Sequence, residues 1–325
     1  MKFVEDIRGY LGRNPIFGVC LIYYLLMSVT VPGFFGANNS WNLVYNFIPI
    51  LILALGQTFV ILTAGIDLSI AAIIAVTSVA GGYLMSGDTG LIGNSYTATI
   101  AGVACMLAVG AVIGFINGIS VAKLKMPAFM VTLTTLMFFS GMAIWLTRSQ
   151  SIYNLPALLV DAPYKTFLGV PYPVYLGALV YVICYLVLNR TILGAWIYSV
   201  GTNIKTSWIS GVNVTMTLVL AYVISGLCAS FGSLIYTARL ETGSPVMGQN
   251  ILLDVIGAVI IGGTSLFGGK GKLQWTAGGV LLMTMLDNSL NLVGLSFFLI
   301  MMVKGTIILL TALYNQQRSN AVIHA

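Results

Sequence analysis

Apolar residues in this chain fall into long blocks divided by short polar or glycine-containing breaks. A helix that crosses the hydrocarbon core of a bilayer needs about 20 mostly apolar residues. Ten stretches approach that requirement: 16–34, 43–63, 68–86, 96–122, 128–147, 173–188, 214–237, 251–264, 273–293 and 296–314. The second and third are separated only by Ala64-Gly65-Ile66-Asp67, and the eighth is short and ends in glycines. The pattern predicts an all-α polytopic transmembrane bundle with broken or re-entrant helices and short loops. It forms one domain over residues 1–325, with no hydrophilic module. The longest expected loops are 148–172 on the outer side and 189–212 on the inner side. The first block follows Lys2, Arg8 and Arg13, as in a secretory signal. No small-x-small cleavage site follows it and more spans come after, so it is expected to be a retained first helix.

Charge placement sets an expected orientation. With the segment 1–15 inside and ten spans, the inner segments hold ten Lys or Arg residues, including Lys123, Lys125, Arg190, Lys205, Lys270, Lys272 and Arg318. The outer segments hold three, namely Arg148, Lys165 and Arg239, while Lys304 falls within the last span. Positive charge collects on the cytoplasmic side of membrane proteins. Both termini, with the tail 315–325, are therefore expected in the cytoplasm, and an odd span count would destroy the asymmetry. Composition agrees. Of 325 residues, 58% are hydrophobic and 7% charged, against about 25% charged in a soluble domain. An ordinary soluble enzyme, a nucleic-acid partner and a disordered chain are all excluded on that ground. The single histidine, His324, sits at the C-terminal end, and Cys20, Cys105, Cys184 and Cys228 lie in apolar runs without CxxC spacing. A histidine-ligated metal or haem site in the bilayer has no basis here, and no metal is expected.

Several residues interrupt the apolar pattern. Asp67 either caps the third helix, together with Ser69, or stands on a pathway or gate; the two roles are compatible if the capped end faces the pathway. Asp254 lies about four residues inside an apolar run. The run Ile261 to Gly271 holds five glycines between 262 and 271 and ends near Lys270. It fails as a phosphate-binding loop, because Thr264 stands where glycine is needed and Gly271 where Ser or Thr is needed. A cytoplasmic turn with close backbone packing is expected instead. Gly110, Gly114 and Gly118 form a small-xxx-small stripe suited to a closely approaching helix. Asn117 within it is either interhelical glue or pathway lining. Asp287, Asn288 and Asn291 either receive a hydroxylated solute or form an interfacial helix end. In the segment Asn189 to Asn213, Gly194, Gly201 and Gly211 bracket short amphipathic pieces, and Asn203 is expected to cap a helix from Ile204 to Ser210. That helix, with Trp208 and Ile204, suits either a soluble partner or the lipid surface.

Six motifs occur together in order: LTxGIDLS at Leu62 to Ser69, NG…(I/M)PxFxxTL at Asn117 to Leu133, G…GxN…GV at Gly194 to Val212, IGGTSLxGGxG at Ile261 to Gly271, DNxLNLxG at Asp287 to Gly294 and VKG at Val303 to Gly305. With these, the chain resembles the permease subunits of bacterial ATP-binding-cassette (ABC) sugar importers, ribose-type branch, from about residue 40 to 312. It departs from the family pattern at Ala71, usually glycine, at Leu252, usually acidic, and at Thr206-Ser207, usually paired alanines. The second departure removes a charge on the translocation side and leaves the substrate open. The third suggests tuning to a particular ATPase.

The resemblance implies a pore of two permease subunits, identical or paralogous, a cytoplasmic ABC ATPase, and a periplasmic or lipid-anchored binding protein. ATP and Mg are used by the ATPase, and this chain, which is not itself an enzyme, holds no cofactor. Gly194, Gly201, Asn203, Ile204, Lys205, Trp208 and Gly211 would couple to the ATPase. A neutral polyhydroxylated solute needs hydrogen-bonding groups with little charge. The candidate pathway groups are Gln57, Thr58, Asp67, Asn117, Thr132, Thr135, Asp254, Asn288 and Asn291. A ribose-like pentose or hexose is the default solute, with a furanose sugar or nucleoside as alternative. An ion-coupled secondary transporter would place paired charges at the midplane, whereas the deep charges here are only Asp67, Asp254 and Lys304.

Overall fold

The computed structural model describes residues 15–323, with side chains through Leu313. Lys2, Arg8 and Arg13 in the N-terminal segment, His324, and the side chains of the tail 315–325, Arg318 included, lie outside the described residues. Thirteen helices and one hairpin occur among the described residues. They are α1 (Pro15–Thr30), α2 (Ala37–Leu62), α3 (Ile70–Met85), α4 (Tyr96–Ala122), α5 (Ala128–Thr147), α6 (Ala157–Val160), β1 (Thr166–Phe167), β2 (Val170–Pro171), α7 (Tyr172–Arg190), α8 (Ile192–Thr202), α9 (Ile204–Ile209), α10 (Val214–Leu240), α11 (Ile251–Ile261), α12 (Leu273–Leu292) and α13 (Phe297–Ile323).

The helices α1–α5, α7 and α10–α13 occupy the ten expected apolar stretches in order. Of these, α2, α4, α5, α7 and α10 are long and apolar enough to cross a membrane. At 1.5 Å per residue, the 27-residue α4 and α10 reach about 40 Å, more than the roughly 30 Å of a hydrocarbon core. By contrast, α11 has 11 residues and reaches only about 16 Å. The expected span 251–264 is thus a half-helix. It stops at Gly262-Gly263, where Gly263 has φ +92°.

The C-terminal half of α2 is the centre of the bundle. Every residue from Leu51 to Leu62 is buried, as suits a helix that is apolar all round, and α10, α12, α11 and α7 surround it. The glycine stripe of α4 meets α10. A side chain at Gly110 would collide with Ser230 and the Gly226 carbonyl, one at Gly114 with the Tyr222 carbonyl, and one at Gly118 with Val219. Close backbone approach gains dispersion contacts where lipid supplies no hydrophobic drive. Ser230 adds a hydrogen bond, Oγ to the Met106 carbonyl, at 2.9 Å.

At one end of the bundle the glycine-rich turn 262–271 interlocks with the end of α2 and with α8. Gly269 N donates to the Leu62 carbonyl at 2.9 Å, and the Tyr198 hydroxyl donates to the Gly271 carbonyl at 2.8 Å. This is the close-packed turn expected of that sequence. Two glycines depart from expectation. Gly194 and Gly201 do not bracket amphipathic pieces but lie inside α8. Added side chains there would strike the carbonyls of Leu188 and Leu62 respectively, so these glycines provide room rather than chain breaks. The other end carries the hairpin. Its turn residues Leu168 and Gly169 both have positive φ, 50° and 76°, as two-residue hairpin turns favour. Arg239, at the end of α10, donates to the Tyr45 carbonyl at 3.2 Å and to Asn46 Oδ1 at 2.8 Å.

Candidate functional site

The turn between α2 and α3 holds a buried carboxylate. Ala64 adopts φ 62°, and Asp67 is completely buried. Asp67 Oδ1 accepts from Ser69 N at 2.9 Å and from Ser69 Oγ at 2.5 Å. Asp67 Oδ2 accepts from Ser225 Oγ of α10 at 2.8 Å. Ser69 Oγ accepts in turn from Asn117 Nδ2 of α4 at 2.8 Å, and Asn117 Oδ1 accepts from Thr135 Oγ1 of α5 at 2.6 Å. Thr132 Oγ1 donates to the Ile66 carbonyl at 3.1 Å. Asp67, Asn117 and Thr135, drawn from three segments of the sequence, therefore belong to one polar network, and Thr132 bonds the backbone beside it. No cation pairs with Asp67 among the described residues, so neutral donors satisfy the carboxylate. The bond to Ser69 N closes an Asx turn that leads into α3. Sequence reasoning missed Ser225, a lone serine in an apolar run with no local signal, and Tyr222. The Tyr222 hydroxyl is buried without a partner and borders Gly65, where an added side chain would meet it.

The remaining pathway candidates are spread through the bundle. Thr58 donates to the Ala54 carbonyl at 2.6 Å and pairs with Thr276 of α12 at 2.9 Å. Gln57 is fully buried, with both amide atoms unpaired. Asn288 exchanges two hydrogen bonds with Asn39 of α2, at 2.9 and 2.8 Å. Asn291 bonds Asp287, at 2.7 Å to its carbonyl and 3.3 Å to Oδ2. Asp254 of α11 pairs with Lys304 of α13 at 3.0 Å, and Lys304 also pairs with Asp287 of α12 at 2.6 Å. The charge within the last span thus ties three helices together. Asn39 escaped notice because α2 begins at Ala37, earlier than the expected span.

At the end that bears the glycine-rich turn, Asn203 Oδ1 accepts from Thr206 N at 2.9 Å and caps α9. The helix stops at Ser210, and Gly211 follows with φ +82°. Ile204, Trp208 and Ile209 are exposed, Trp208 at 71%, and Lys205 is exposed between them. Between α9, the start of α10, the 125–128 segment and the α2–α3 turn lies a cleft of about 700 Å³. Among the described residues, no group of three or more His, Cys, Asp or Glu side chains is placed to hold a metal ion. The arrangement offers hydrogen-bonding groups in the interior and a short helix with exposed apolar side chains at one end.

These features fit a helical membrane protein, and comparison with known proteins shows the class to be a permease. The chain belongs to the family described as branched-chain amino acid transport system / permease component, whose model matches residues 39–312. It is a multi-pass membrane protein. It is 35% identical over 316 residues to the ribose import permease protein RbsC of Escherichia coli (strain K12), covering 96% of each chain. It is 37% identical over 309 residues to RbsC of Bacillus subtilis (strain 168), covering 94% of this chain and 93% of that one. With the D-allose transport system permease protein AlsC of E. coli (strain K12) it shares 30% identity over 296 residues, 91% of this chain and 89% of the relative. No solved structure matches.

Proposed function

We propose that this chain is the membrane subunit of an ATP-driven importer that carries a sugar, a ribose-like pentose or hexose, across the bacterial cytoplasmic membrane, with both termini in the cytoplasm. The observation that carries this reading is the end-to-end similarity to ribose import permeases at 35–37% identity. The permease is a transport component rather than an enzyme. Two copies, or this chain and a paralogue, form the pore. A cytoplasmic ABC ATPase supplies ATP hydrolysis with Mg, and a binding protein delivers the solute. This chain holds no cofactor. ATP-driven closure of the ATPase pushes α9 and shifts the bundle between inward and outward states.

The interior chemistry supports a neutral solute. Its unpaired polar side chains, Gln57, Tyr222 and Thr264, are uncharged, and its buried carboxylate is already satisfied. A branched-chain amino acid, the class in the family description, would need groups for an ammonium and a carboxylate. The test is uptake by proteoliposomes holding the permease, its ATPase and its binding protein. ATP-dependent uptake of labelled ribose, insensitive to a protonophore and to excess leucine, is expected. Leucine competition would overturn the sugar assignment, and collapse with the proton gradient would overturn the ATP-driven one.

A further inference from the structure

We propose that the segment 123–127, between α4 and α5, is a second docking element for the cytoplasmic ATPase, and that the cleft between it and α9 receives an acidic, partly apolar element of that partner. The proposal rests on the importer reading above.

Four observations carry it. The cleft is bounded by chain reversals: the Thr63–Gly65 turn, Lys125 to Ala128, α9, and Val214-Thr215 at the start of α10. It therefore opens at the end of the bundle, not on a flank facing hydrocarbon. Next, its rim is basic. Lys123, Lys125 and Lys205 are exposed, and none makes an ion pair among the described residues. The apolar side chains beside them are also exposed: Leu124 at 63% and Met126 at 45%, matching Trp208 at 71% and Ile209 at 69% on α9. Exposed apolar groups ringed by unpaired charge of one sign mark a protein interface with charge complementarity.

Third, the segment is held in a fixed and costly shape. Lys125 adopts φ 55°, a left-handed conformation that costs a non-glycine residue about 1 kcal/mol or more. Lys123 N and Leu124 N donate to the Ile119 carbonyl at 2.8 and 3.3 Å, and Met126 N to the Ser120 carbonyl at 3.2 Å. Such preorganisation lowers the ordering cost of binding. Finally, Tyr222 borders the cleft, and its hydroxyl is buried and unpartnered behind the turn that leads to Asp67. An element seated there bears on the Thr63–Gly65 turn that leads to Asp67, a route from ATPase to gate that does not pass through α9 alone.

The test measures binding of the partner ATPase to the full-length permease in nanodiscs. The variants are Leu124→Glu, Lys125→Glu and Trp208→Glu, with Lys165→Glu in the outer loop as control and Lys125→Gln as the milder variant should Lys125→Glu fail to fold. Leu124→Glu and Lys125→Glu are expected to weaken binding at least tenfold, with a shallower salt dependence for Lys125→Glu, and Lys165→Glu to leave it unchanged. If Trp208→Glu weakens binding while the 124 and 125 variants do not, the second docking element is overturned and the importer reading stands. If none of the three weakens binding, ATPase docking at this end fails, and the importer reading with it. Should the 124 and 125 variants instead lower only the retention of phosphatidylglycerol by the full-length permease in detergent, with ATPase affinity intact, the surface is a lipid contact and the proposal falls.

Discussion

Asp67→Asn and Asp67→Ala separate two roles that the sequence leaves entangled. Asparagine keeps an acceptor for Ser69, and its amide donates to Ser225 Oγ, so the network Thr135–Asn117–Ser69–Asp67–Ser225 stays closed. Alanine leaves the buried Ser225 hydroxyl unpaired and removes the Asx turn, at a cost of about 1–3 kcal/mol per orphaned group. Thermal unfolding in detergent is expected to show Asp67→Ala well below Asp67→Asn. Gating changes and an unaltered sugar preference are expected for Asp67→Asn; a changed competition profile among sugars would mean that the carboxylate touches the solute. Lys304→Met is expected to cost about 3 kcal/mol, since it leaves two carboxylates facing each other. That is the low end for a buried pair, because Asp287 is 44% exposed. Adding Asp254→Asn should recover most of that loss in the same assay. The individual polar interruptions were legible in the sequence. Their partners were not, because Ser225, Asn39 and the Asp287–Lys304 pairing depend on which helices become neighbours.

At the scale of elements, glycine has two readings that sequence does not distinguish. Gly110, Gly114 and Gly118 declared themselves by spacing, and α10 is the helix they admit. Gly194 and Gly201 lack such spacing; expected to bracket short amphipathic pieces, they lie within α8. The difference is tertiary: a carbonyl from another turn or helix occupies the place of the missing side chain. Gly201→Ala is therefore expected to lower both the melting temperature and the ATP-coupled uptake, because its methyl meets the Leu62 carbonyl and the backbone of Gly269. Gly141→Ala in α5 meets nothing within 4 Å and is expected to be neutral or to stabilise by about 0.5–1 kcal/mol, the helix preference of alanine over glycine. Equal effects of the two substitutions on melting would contradict the packing account. The cap at Asn203 was readable from residue type and position alone, since a cap is local chemistry. The half-helix α11 was readable only in part: its shortness and glycine end show in the sequence, whereas its place against α2 and α12 is tertiary.

Across the whole molecule, charge placement sets an expected topology that the order of the helices can be tested against. The fold brings α9, the 123–127 segment and the glycine-rich turn to one end, where ten of the 14 basic residues are expected. It puts the hairpin and Arg239 at the other. The family was legible because six motifs recur in order, whereas the solute was not, because the groups that would meet it are common amides and hydroxyls. The orientation has a direct test. Ser210 and Asp161 are exposed at opposite ends, while Cys20, Cys184 and Cys228 are buried and Cys105 is partly so. Ser210→Cys is expected to react with a membrane-impermeant thiol reagent only in inside-out vesicles, and Asp161→Cys only in intact, outer-membrane-permeabilised cells. Both would react from the same side if a span were miscounted between them. Both would exchange sides if the chain were inverted, and then the cluster of Lys123, Lys125 and Lys205 would face away from any ATPase.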